Sequence, residues 1–339
     1  MNVRYRRMQL RDIRKCVEHI AAHPVLGPRY GKLIHQLPSA IRLALANELT
    51  LFIVLEEIQA SATRFLGAVM CPFVSDDFLQ ESKTCPIFWV GPELVKRIAA
   101  GKSPLLSEVE VRDANSAEGL NLLVWHNTCH PQDIRRGDVV TTILTFAEQY
   151  LRGIRLRELV GQADCVEHYY CMRDAGGFYF DRVRGAYVSY PELNAQNFAD
   201  EPRTGGLTRE LASAQVTSWL ASFFVSYAPP QLSLSRGEQQ LLRAARNGET
   251  DEELGDRLGI SIHAVKMRWR MIYDRAAACL PDLVAADCSR VDGEAFGRGK
   301  QKKQRLLDYV RKHPEELHPI SRKLLQQSTA QRTSVGSVR

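Results

Sequence analysis

Between positions 261 and 279 the chain carries Lys266, Arg268, Arg270 and Arg275 against a single acid, Asp274, while the segment just before it carries Asp251, Glu252, Glu253 and Asp256. Clustered cations suit a phosphate backbone and clustered acids do not, so only the later segment suits nucleic acid. His263, Lys266, Met267 and Arg270 recur at helical spacing. Three of them offer N–H donors and Met267 an apolar contact for a thymine methyl, the mixture that reads base edges in a major groove. Arg268 and Arg275 lie off that line and suit the flanking phosphates.

Two further groups could do chemistry. His126, Cys129 and His130 bring three metal-ligand types close together, but no fourth ligand clusters with them and no metal is expected. The stretch from His130 to Val139, with Arg135, Arg136 and Gly137, precedes a helical pattern; a glycine loop leading into a helix N-terminus is an anion-binding arrangement. The eight cysteines are scattered with no C-x-x-C pair, which predicts free thiols.

The elements that must position the basic segment are punctuated by caps. Ser235 with Glu238, and Thr250 with Glu253, are capping boxes opening two helices, the first stopping at Asn247-Gly248 and the second at Gly259. Ser261 caps a third helix whose buried positions are Val265, Trp269 and Ile272. Three capped helices around a glycine turn predict a helix-turn-helix.

Leu234-Ser235-Arg236-Gly237-Glu238, then 248–254, Leu258-Gly259-Ile260-Ser261 and Val265-Lys266, resemble the LuxR-type DNA-binding domain of bacterial transcription regulators. The resemblance covers about 50 residues and implies base contacts from Lys266, Met267 and Arg270. Gly255 stands where that family usually has alanine, and its fourth, dimer-forming helix is not evident in 279–282. A sigma-factor region-four module is similar in pattern and would have core RNA polymerase as its partner.

Residues 1–190 alternate helical patterns over 10–22, 31–48 and 141–152 with apolar runs over 51–55, 65–70, 87–90 and 120–125, which predicts an α/β or α+β domain. More weakly, this region is similar to the GNAT acetyltransferase fold, on Met8 to Ile13, Leu120 to Trp125, His130 to Val139, His168-Tyr169-Tyr170 and Ala175 to Phe178. An active member would hold acetyl-CoA on Arg135, Arg136 and Gly137, with Tyr169 or Tyr170 as general acid. Ile134 stands where Gln or Arg is usual and Val139 where a glycine is usual, and Asp138 adds an unfavourable charge. A scaffold without catalysis and without a cofactor is therefore expected.

Pro229-Pro230 marks a boundary, 190–206 reads as a loop, and Val216, Trp219, Leu220, Phe223 and Phe224 form the stripe of a connecting helix that packs on its own domain or on a second copy. The expected organisation is 1–190 sensor or scaffold, 191–230 connector, 231–285 all-α helix-turn-helix and 286–339 basic tail. That tail holds the charge: of the net +6 over 339 residues, the last 50 residues contribute +7. Within it 300–313 reads as a helix that touches DNA backbone or docks on the regulator, and 326–339 as too polar to order. With 45% hydrophobic and 25% charged residues, and no run near ~18 apolar residues, the composition is that of a soluble globular chain and predicts a cytoplasmic protein without a membrane partner. Together these features predict a DNA-binding transcription regulator, with double-stranded DNA, RNA polymerase and a second copy of the chain as partners. The competing classes are an acetyl-CoA-dependent N-acetyltransferase with a nucleic-acid-binding appendage and an adaptor whose helix-turn-helix meets protein.

Overall fold

The computed structural model describes residues 3–60, 62–192, 201–215, 218–225, 227–246, 248–285 and 297–318. They fall into two compact units, 1–151 with 155–226 and 152–154 with 227–339.

The first unit is mixed α/β. Its strands are β1 (Val3–Arg7), β2 (Leu51–Ile58), β3 (Thr63–Cys71), β4 (Phe73–Val74), β5 (Leu120–Val124), β6 (His126–Asn127), β7 (Leu156–Ala163), β8 (Phe178–Asp181), β9 (Ala186–Val188) and β10 (Arg203–Thr208). They order as β1-β2-β3-β6 and β4-β5-β7-β10-β8-β9. Strand β2 is buried from Leu51 to Glu56, and the helices Ile13–Ala22, Leu37–Ala46 and Val90–Ala99 bury Ile20, Ile41, Leu94 and Val95 in the same core as its Phe52 and Val54. The basic opening segment becomes an edge strand whose charges are answered: Arg6 donates to Asp12 at 2.7 and 2.8 Å and to Glu56 at 2.8 Å.

One relation in this unit positions its cavity. β5 and β7 are parallel, joined through the helix Gly137–Leu151, and stay paired up to Val124 opposite Gly161. Beyond that point the strand is interrupted at Trp125, and among the described residues β6 pairs with β3 and not with β7. The two strands therefore fork.

Three segments differ from the sequence expectation. Residues 87–90 are not a strand: Phe88 packs on Phe78, and Val90 opens a helix with Pro92 in its first turn, where a missing N–H costs nothing. The glycines of 203–208 do not mark a loop. They sit in strand β10, where a Cβ on Gly206 would fall 2.1 Å from Leu159 O, so they serve close packing; 193–200 lie outside the described residues. Finally, 31–48 divides into a 3-10 turn, Gly31–His35, and a helix with Pro38 near its start. In the connecting helix, Trp219–Val225, the side chains of Leu220, Phe223 and Phe224 are buried and Trp219 is 51% exposed, while Val216 lies outside the described residues.

In the second unit the described elements are helices: Arg236–Ala245, Asp251–Leu258, Ile262–Cys279, Pro281–Ala285 and Gly297–Lys312, followed by a 3-10 turn, Pro314–Leu317. The helix Gly297–Lys312 is no free tail. Its Leu306, Leu307 and Val310 join Leu241, Leu254, Val265, Trp269 and Ile272 in one core. Residues 319–339, including the segment expected to be disordered, lie outside the described residues.

Candidate functional site

The helix Ile262–Cys279 is started and oriented by its neighbours. Ser235 Oγ accepts from the Glu238 N–H at 3.4 Å and Glu238 Oε2 from the Ser235 N–H at 2.6 Å; Thr250 and Glu253 repeat the exchange at 3.3 and 2.7 Å. Gly259 takes φ 64°, the left-handed conformation that ends the second helix, and Ser261 Oγ accepts from the Ala264 N–H at 3.2 Å to begin the third. Gly255 has a local reason: a Cβ there would lie 3.0 Å from Ile260 O, in the wall of this turn.

The third helix buries Val265, Trp269, Ile272 and Ala276 and leaves His263, Lys266, Met267 and Arg270 exposed. The outward row thus holds donors and one thioether on a rigid element, with its inner face fixed by packing. Arg268 and Arg275 are different. Arg268 Nη1 reaches Gly237 O at 3.4 Å and is half-buried. Arg275 donates to Glu238 Oε1 and to Ser233 O, both at 3.3 Å, so it answers a carboxylate that is only 4% exposed. A buried carboxylate needs such a partner. Arg275, expected to hold phosphate, is engaged inside the unit, and no shared signal between positions so far apart in sequence indicated it.

In the first unit, the loop that an active transferase would use to hold acetyl-CoA is occupied by its own charges. Arg136 meets Glu57 at 2.7 Å, Asp138 at 3.0 Å and Asp133 at 3.3 Å, and Arg135 meets Glu167 at 2.7 Å. Ile134 and Val139 are core residues, 3% and 0% exposed. Tyr169 is buried, its hydroxyl donates to Pro191 O at 2.8 Å, and burial pushes its pKa up to about 12. Tyr169 and Tyr170 do not line the cavity described next.

That cavity, ≈ 90 Å³, lies in the fork of β5 and β7. Trp125, His126 and Asn127 form one wall, Gln162, Ala163 and Asp164 the other, and Trp89 to Pro92 with His168, Cys171 and Met172 close it. Gln162 pins the closing segment, accepting from the Val90 N–H at 2.8 Å and donating to Phe88 O at 2.7 Å. Burial pulls the His126 pKa down to about 3, and its Nε2 shares a 2.6 Å hydrogen bond with the Tyr30 hydroxyl. His168 behaves oppositely. Burial alone would depress it, but the Asp164 carboxylate on its Nδ1 outweighs burial and holds the pKa well above the usual histidine range.

The metal-type ligands noted in the sequence do not make one site: His126 is bonded to Tyr30, the Cys129 thiol is pushed up to about 12 by burial, and His130 Nδ1 accepts from the Gln132 N–H at 3.3 Å. Among the described residues His23, Asp164 and Cys165 do place ligand atoms within 4.8 Å of one another. His23 Nδ1, however, accepts from the Val25 and Leu26 N–H groups at 3.2 Å, which leaves the proton on Nε2, the atom that faces Asp164 at 4.0 Å. A ring nitrogen that carries its proton does not ligate a metal.

No known family pattern matches the chain, and no curated protein is similar to it. Among solved structures, the chain is similar to the loading GNATL domain of CurA from Lyngbya majuscula at 12% identity, over 61% of this chain and 97% of that one, with a TM-score of 0.33.

Proposed function

We propose that this chain is a sequence-specific, double-stranded-DNA-binding transcription regulator of LuxR type, whose first unit is a GNAT-like scaffold that senses a ligand and does not turn over acetyl-CoA. The observation that supports it is the exposed row His263, Lys266, Met267 and Arg270 on a helix whose opposite face is buried. In the proposed complex that row enters the major groove, Lys266 and Arg270 donate to guanine edges, Met267 meets a thymine methyl, and Arg268 holds the flanking backbone. RNA polymerase and a second copy of the chain are the proposed protein partners. A gel-shift titration of the full chain on duplex DNA at graded salt tests this: affinity should fall steeply with salt as counterions are released. An absence of binding at low salt would remove the proposal.

The acetyltransferase alternative draws on the fork between parallel β5 and β7. Against it stand the carboxylates that already neutralise Arg135 and Arg136, and a cavity far below the roughly 300 Å³ at which ligand pockets of ordinary size begin.

A further inference from the structure

His23 ends the helix Ile13–Ala22 and starts the next one, Leu26–Tyr30. Its Nδ1 accepts from the Val25 and Leu26 N–H groups, both at 3.2 Å, and its carbonyl accepts from the Gly27 N–H at 3.0 Å, so one residue satisfies three successive backbone donors at the start of that helix. A helix of five residues does not hold itself together in water and depends on such contacts. This one belongs to the wall of the fork cavity. Leu26 borders the cavity, and the Tyr30 hydroxyl is bonded to two more of its lining residues, to His126 Nε2 at 2.6 Å and to the Trp125 indole N–H at 3.3 Å.

We propose that His23 is a pH-operated catch: a proton taken up on Nδ1 releases the helix Leu26–Tyr30 and opens the fork cavity. The Nδ1 lone pair serves two N–H groups, and once it carries a proton it faces them donor to donor and both bonds are lost. The ring stays where it is, because Nε2 faces Asp164 Oδ2 at 4.0 Å, so the helix is the part that gives. Among the described residues, the titratable groups around the ring are Asp164 and Cys165, which follow β7, His168 on the helix Val166–Asp174, and His126 and His130. Burial is the largest influence and opposes the proton, Asp164 favours it, and His168 and His130 oppose it, so uptake falls below the usual histidine value of about 6.5. The catch is therefore closed above that pH and opens as pH falls through the folded value. The His23 side chain is 15% exposed, which lets the proton in from solvent. The device stands on the first unit alone, whatever the second unit binds.

The test is amide hydrogen exchange of the full-length, ¹⁵N-labelled protein between about pH 7.5 and about pH 4.5, each rate divided by its intrinsic rate at that pH. The protection of the Val25, Leu26 and Gly27 N–H groups should fall about tenfold or more across this range, while that of the Leu123 N–H, bonded to Pro72 O in the sheet, holds. The chain has four tryptophans, so its indole N–H signals are few, and Trp125→Phe assigns the relevant one. The Trp125 indole, bonded to Tyr30, should lose protection with the same midpoint, and the Trp269 indole, bonded to Asp251, should not. His23→Asn keeps a side-chain acceptor and does not titrate, so its protection should stay level with pH. Level protection in the unmutated protein, an equal fall at Leu123, or a fall that persists in His23→Asn overturns the proposal. The first two are read without any variant, so neither depends on a variant folding.

Discussion

Lys303 lies over Trp269, its Nζ 4.9 Å from the ring centre, and donates at 3.0 Å to Asp251 Oδ1, the same oxygen that accepts the Trp269 indole N–H at 3.2 Å. One residue of the last helix therefore clamps the central side chain of the third helix to the start of the second. Glu316 extends the clamp by accepting from the N–H groups of Gln231 and Leu232, both at 2.9 Å. Lys303→Ala should cost about 1 kcal/mol, the size of a cation–π contact with a half-exposed ion pair. Leu307→Ala should cost about 2 to 5 kcal/mol, and Trp269→Ala about 3 to 5 kcal/mol, through the cavities they open. Denaturant melts of the full chain read the order; equal midpoints for Leu307→Ala and wild type would show that the last helix does not belong to this core.

Arg275 and Arg270 should separate by phenotype. Arg275→Ala leaves Glu238 buried without its counter-charge and should lower the melting temperature while changing the salt slope of DNA binding little. Arg270→Ala, on the exposed row, should leave melting unchanged and weaken DNA binding. Exchange of these two outcomes would place the phosphate contact at Arg275 after all.

The Asp164–His168 pair should set a pH window. His168 has a raised pKa when folded, so its stabilisation is complete below about pH 6.5, the unfolded value, and is lost as pH rises through the folded one. Asp164 is held below the usual carboxylate range although burial opposes this, because the His168 charge and hydrogen bond win; its stabilisation exists above about pH 4 and is lost as pH falls through the folded value. Burial depresses His23, brings His126 down to about 3, and raises the Cys171 thiol. Asp164→Asn should therefore cost about 3 to 5 kcal/mol near neutrality, with the deficit shrinking at alkaline pH. A deficit independent of pH would contradict the ionised pair.

Thiol release from acetyl-CoA with a panel of amines should match the blank, since Arg136 is held by three carboxylates and Val139 is a core residue. Turnover abolished by Tyr170→Phe would restore the enzyme reading.

Much of the second unit was legible because its signals are local. Each cap and its partner lie three residues apart, and the buried stripe Val265, Trp269, Ile272 follows from helical period. What periodicity cannot say is which surface an apolar stripe covers, so the helix Gly297–Lys312 read equally well as a DNA-touching tail. The first unit was harder for the same reason. Strand β7 was missed because Arg157 and Glu158 interrupt its apolar run, yet Glu158 is buried, held by Lys83 at 2.9 Å and by the Tyr187 hydroxyl at 2.6 Å. The fork cavity gathers Trp89 and Trp125 with the pair Asp164 and His168; that pair shares an i to i+4 spacing, but no spacing in the chain joins it to the two tryptophans.

The most direct test of the central claim is the ratio of specific to scrambled duplex binding, measured for the full chain on a site chosen by selection from random DNA. Lys266→Ala and Arg270→Ala should each lower that ratio about ten- to hundredfold, with non-specific affinity falling less, and Arg268→Ala should weaken both duplexes alike and lower the salt slope by about one. Unchanged ratios in both Lys266→Ala and Arg270→Ala, with wild-type melting, would show that the exposed row of the third helix does not read DNA.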